Sequence, residues 1–142
     1  MNVTTTMYWL QDTSTPLFME SRPYLLNSGV WGYYRVAYDE ENWKALIHSL
    51  KTNKNINYLR RARLIDDVMN LARANHASYE LALDLLLYLK QEDEFIPWES
   101  AISSLSFLHS RMEVSRYIKS IFDKFSVILT LIAEKLSLLC QM

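Results

Sequence analysis

Cysteine is almost missing from this chain of 142 residues: Cys140 stands alone. One thiol can build neither an internal disulfide nor a thiolate metal cage, and it leaves the compartment undecided. Glycine occurs twice and proline three times, too few for a loop-rich scaffold or a disordered chain. Neither sign of charge dominates. The formal net charge is −1 with Lys and Arg scattered, so no basic stripe argues for nucleic acid and no acidic tract for a solvating tail. The opening MNVTTTMYWLQD has no charged stretch leading into an apolar run and does not read as a signal peptide. Its Asn2-Val3-Thr4 sequon matters only in a secreted chain. The most apolar run, FSVILTLIA, is too short for a bilayer and is followed at once by Glu134 and Lys135.

Hydrophobic residues, by contrast, make up 50% of the chain, enough for a substantial core in one domain or two small pieces. The first part reads as β. MYWL (7–10) and PLFM (16–19) are apolar runs parted by the polar QDTST, and Val30 to Tyr38 alternates as the strongest strand. Val30, Tyr34, Val36 and Tyr38 share one of its faces; Trp31, Tyr33, Arg35 and Ala37 share the other. Gly29 and Gly32 at its start suggest a bulge or a close backbone approach.

From Asp39 the period changes. Asp39 is a good N-cap, Glu40 and Glu41 suit a first turn, and Trp43, Leu46, Ile47 and Leu50 follow at helical spacing. In YLRRARLIDDVMNLARAN, Leu64, Ile65, Val68, Leu71 and Ala72 form a stripe, with Arg63 and Asp67 placed for an i,i+4 ion pair. Ser78 caps YELALDLLLYLKQE, whose leucines leave only Glu80, Asp84 and Gln91 as a thin polar edge. Pro97 fits the first position of a helix striped by Trp98, Ala101, Ile102, Leu105, Leu108 and Met112. A last helical period runs from Val114 to about Cys140, as one helix or as two broken near Ser126. The expected fold is mainly α: a short antiparallel β segment over 1–38, then stacked helical hairpins of α-superhelix type over 39–142.

Chemistry is thin. There is no H-E-x-x-H, no phosphate-cradling glycine loop and no G-x-S-x-G elbow. His48, His76 and His109 are isolated and read as surface or boundary residues. Asp66 and Asp67 are neighbours on a helix, about 100° apart, and cannot act on one atom. Glu92-Asp93-Glu94 lies in an inter-helix turn, where charge runs are usual. Arg35 admits two readings: it binds a carboxylate, or it clamps an aromatic. Trp31, Tyr33, Tyr34, Tyr38 and Trp43 are either a ligand platform or, more commonly, the core where a strand meets a helix.

Three stretches carry a resemblance. GYYRVAYDEENW (32–43), RARLIDDVMNLARA (61–74) and EFIPWESAISSLSFLHSRM (94–112), in that order, resemble the zinc aminopeptidases of the aminopeptidase N type. The likeness covers about residues 7–115; Ala37 replaces the usual Asn, and beyond Arg116 the pattern is no longer recognised. It implies the end of a β-sandwich domain and the start of a helical domain that forms a bowl over the peptide-holding cavity. It also implies a parent enzyme that releases N-terminal amino acids with a zinc-activated water. The two His and the Glu that hold that metal, the general-base Glu and the G-A-M-E-N motif belong to a preceding domain, and none matches a position here.

No catalytic, metal or cofactor residue is therefore carried over to this chain. Tyr33, Tyr34, Arg35, Tyr38 and Trp43 are expected to form a structural joint between strand and helix. Zinc and the peptide substrate are expected only in the full-length parent, which in this family is often extracellular and membrane-anchored. The alternative is a non-catalytic helical interaction module. A half-built sandwich would leave an open edge, so self-association or pairing with a full-length homologue is also expected.

Overall fold

The computed structural model describes residues 22–27, 29, 31–52, 56–112 and 126–134, with the single positions 19 and 137. The apolar runs at 7–10 and 16–18, Val30 and most of the expected last helix lie outside the described residues.

Helix α1 spans Glu40–Thr52. Asp39 starts it: its Oδ1 accepts the Asn42 amide at 2.9 Å, and that bond, with smaller help from Tyr24 and Arg22, holds the carboxyl below its usual range. Trp43, Leu46, Ile47 and Leu50 are all buried, as the spacing of the apolar positions predicts. Helix α2 spans Tyr58–Arg73, with the Asn57 side chain accepting from the Leu59 amide. It ends in a Schellman arrangement. The His76 amide donates to Leu71 O at 2.8 Å and the Asn75 amide to Ala72 O at 3.1 Å, with Asn75 left-handed at φ 61°.

Helix α3, Tyr79–Leu86, begins at Ser78, whose hydroxyl accepts from the Leu81 amide. The even leucine run predicts one continuous helix as far as Glu92. Instead the chain tightens at Leu87–Gln91 into a 3-10 turn and becomes extended at Glu92. Helix α4 spans Phe95–Met112, so Pro97 is its third residue rather than its first. Proline is harmless there too, because the first four amides of a helix have no internal acceptor.

α2 lies against α4 and α3, and α1 against the 3-10 turn. Their apolar stripes merge into one core that includes Ile65, Val68, Leu83, Leu86, Leu105 and, from a helical stretch at 126–134, Ile128. Each fully buried Leu or Ile contributes about 1.5–3 kcal/mol. Ile102, expected in the α4 stripe, is 37% exposed.

The strand expectation is overturned where it can be checked. Among the described residues no strand occurs, and 31–38 is irregular. Backbone groups of Gly32, Tyr34 and Val36 are taken by side chains instead. Asn27 donates to Gly32 O at 2.8 Å and accepts from the Gly32 amide at 3.0 Å. Arg63 of α2 donates to Tyr34 O at 2.6 Å, and Asp67 accepts from the Val36 amide at 3.3 Å. Alternating side chains mark a strand only where a neighbouring strand offers its own amides; here helix α2 and a loop asparagine bond the backbone.

Candidate functional site

The polar residues of α2 converge on two anchoring centres. In the first, Arg61 meets Glu92 as a fork: Nε to Oε2 at 2.6 Å and Nη2 to Oε1 at 2.9 Å. Arg61 also donates to Ile56 O. Glu92 is only 3% exposed and accepts further bonds from the Tyr88 hydroxyl and from the amides of Asp93 and Glu94. Those amides lie just ahead of α4, where a carboxylate is favoured. The Glu92 carbonyl accepts from Trp98 Nε1 at 3.1 Å. Burial, and then the adjoining carboxylate, raise the Tyr88 hydroxyl far above its ordinary value, so it stays a donor.

The second centre is looser. Asp67, also 3% exposed, accepts from Val36 N through Oδ2. Its Oδ1 lies 3.2 Å from Arg63 Nε, close enough for an ion pair, yet the two are misaligned and neither atom makes a hydrogen bond among the described residues. Burial raises the Asp67 carboxyl above its usual value against the pull of Arg63. Beside it, Arg35 Nη2 reaches Asp66 Oδ2 at 3.3 Å, and Asn70 donates to Asp66 Oδ1 at 2.9 Å.

The five residues expected at the joint are distributed unevenly. Tyr38 stands edge-on to Trp43 with centroids 5.0 Å apart, and Tyr24 stands edge-on to Tyr38. Burial pushes the Tyr38 hydroxyl up to about 12; it accepts from the Leu26 amide at 2.9 Å. Arg35 takes the carboxylate reading, on Asp66, and is half exposed. Tyr34 contributes its carbonyl to Arg63 while its ring is half exposed, and the Tyr33 ring is fully exposed, as is Trp31.

Two contributors escaped sequence reasoning, and a third, Asp67, was foreseen only as the i,i+4 partner of Arg63. Asn42, fully buried, brackets Tyr24 by accepting from its amide and donating to its carbonyl, both at 3.1 Å. Glu92 was hidden in an acidic run; its place just before a helix start was the available signal. The expected Arg63–Asp67 pair is present, but the burial of Asp67 and its bond to the Val36 amide were not foreseen; its place about 60° from Leu64, bordering the α2 stripe, was the hint.

His48, His76 and His109 are all exposed. Among the described residues no group of three or more His, Cys, Asp or Glu side chains can hold a metal ion, and the two buried carboxylates are committed to arginines. The described residues thus offer no site for the zinc that the resemblance implies for the full-length parent. No helix of the described residues is long and apolar enough to cross a membrane.

A mainly helical array opened by an aromatic joint is thus the class that this geometry defines. Comparison with known proteins makes it specific. Residues 23–140 match the family described as the ERAP1-like C-terminal domain, so the match continues beyond Arg116 through most of the tail. Aminopeptidase N of Plutella xylostella is 38% identical over 136 residues, covering 91% of this chain and 14% of the relative. Aminopeptidase N of Homo sapiens is 41% identical over 125 residues, covering 84% and 12%. Aminopeptidase Ey of Gallus gallus is 40% identical over 105 residues, covering 70% and 11%. The chain belongs to the aminopeptidase N family, within its ERAP1-like C-terminal domain. It spans about one seventh or less of the length of these curated relatives.

Proposed function

We propose that this chain serves an aminopeptidase N-type enzyme as scaffold: it supplies the opening of the helical bowl and the surface on which neighbouring domains pack, and does not itself cut peptides. Release of N-terminal residues, the zinc ion and peptide binding belong, in this reading, to the whole enzyme. In this reading 39–142 begins the superhelix and 1–38 leads into it from a preceding domain, with 23–38 already inside the family match.

The observation that carries this reading is the family match over 23–140 together with the use made of the polar residues of α2. Arg61, Arg63, Asp66 and Asp67 all bind other parts of the same chain, which is what a strut does. The test is hydrolysis of aminoacyl p-nitroanilides by the purified chain with added zinc. No turnover is expected; chelator-sensitive turnover would refute the proposal.

Pairing, with itself or with a full-length homologue, is a second reading. The exposed rings of Trp31, Tyr33 and Phe95 favour it. Light scattering, of the chain alone and mixed with a full-length homologue, tests it, and a monodisperse monomer at high concentration in both would rule it out.

A further inference from the structure

A cleft of about 220 Å³ opens beside the second anchoring centre, lined by Arg35, Asp66, Asn70, Arg73, Tyr79, Ser103, Ser104 and Phe107 among others. Arg73, in the last turn of α2, places its guanidinium over the Phe107 ring, 3.9 Å from the centroid. That contact steadies an otherwise flexible side chain beside the cleft. None of its guanidinium N–H groups reaches an acceptor among the described residues.

The rest of the lining agrees. Both Asp66 oxygens are already engaged, by Asn70 and by Arg35, so two arginines against one aspartate leave the cleft one positive charge. Ser106 and Ser110 return their hydroxyls to helix carbonyls, at Ile102 and Phe107. Ser103 and Ser104, one turn earlier and facing the cleft, make no such bond among the described residues. Tyr79 adds a third hydroxyl.

We propose that this cleft binds a small oxoanion, of the carboxylate or phosphate type, on the edge of the Arg73 guanidinium with hydroxyl donors from Ser103, Ser104 and Tyr79. A planar guanidinium held by an aromatic face matches two oxygens of such a group without reorganising. The volume falls below the about 300–1,000 Å³ of drug-sized pockets, which suits a small anion or the terminal group of a larger one. Binding is weak, because Arg73 is exposed and its charge is screened by salt. The proposal does not depend on the aminopeptidase reading.

The experiment is an amide NMR titration of the chain with sodium phosphate and, separately, sodium acetate, against sodium chloride at matched ionic strength. Saturable shifts centred on Arg73, Ser103 and Ser104 are expected for at least one of the two anions and not for chloride. The tighter arm identifies the phosphate or the carboxylate type. Arg73→Gln should weaken binding by about tenfold, and Arg73→Lys, which keeps the charge but not the fork, by less. Tyr79→Phe serves as a second variant that removes a donor and little else. Shifts that grow linearly with salt, that spread over all exposed basic residues, or that survive Arg73→Gln unchanged would overturn the proposal.

Discussion

Glu92 and Asp67 are equally buried, and each faces an arginine, yet they hold different kinds of structure. Glu92 joins two helical elements and has both oxygens saturated by a guanidinium fork, a hydroxyl and two amides. Asp67 joins a helix to the irregular stretch 31–38 through one amide at 3.3 Å, and its other oxygen is misaligned with its arginine. A buried charge is tolerated when every lone pair is used and is costly when one is left over. The Glu92 centre is therefore the firmer of the two; at the other, the stretch 31–38 meets α2 through separate bonds from Tyr34, Arg35 and Val36 rather than through one saturated group.

That contrast can be broken by mutation. Glu92→Ala leaves Arg61 nearly buried without a counter-charge and should destabilise by about 3–5 kcal/mol in chemical denaturation. A loss below about 1 kcal/mol would show that the fork carries little. Trp43→Ala, which empties the site beneath Tyr38, should cost about 3–5 kcal/mol in the same measurement. A near-neutral result would mean that α1 does not depend on the joint.

Asp67→Asn sharpens the comparison through pH. The folded protein holds the Asp67 proton more tightly than the unfolded chain, whose ordinary value is 3.8, so Asp67 favours folding in acid. Its contribution is fully present below that value and declines as pH rises through the raised folded value. The stability of the parent minus that of Asp67→Asn should fall as pH rises across that window, and a flat difference would contradict the burial argument. Smallest of all, Tyr33→Ala on the fully exposed ring should change stability by no more than about 0.5 kcal/mol. A larger loss would mean that this ring is covered in solution.

How much of this was readable beforehand depends on the range of the interaction. Asp39, Ser78 and the Trp43–Leu50 stripe were legible because caps and helical faces are decided within one or two turns. The three motifs and their order pointed to the family before any contact was known. The Arg61–Glu92 and Val36–Asp67 bonds each join residues 31 positions apart, and no local pattern announces them. The alternation of 31–38 misled for a related reason. It describes side chains, whereas a strand is defined by what its amides bond to. The 3-10 turn at Leu87–Gln91 was invisible in an even run of leucines.

Asn42 shows what one side chain can do in place of a strand. Its carboxamide offers Tyr24 the same donor and acceptor that a neighbouring peptide group would. Exchanging its nitrogen for oxygen, as deamidation does, would set two acceptors against each other at the Tyr24 carbonyl while leaving every apolar contact in place. A one-atom change on α1 would then loosen the leading segment at Tyr24 alone, while Arg63, Asp67 and the Tyr38–Trp43 contact still hold the rest of it to the helices.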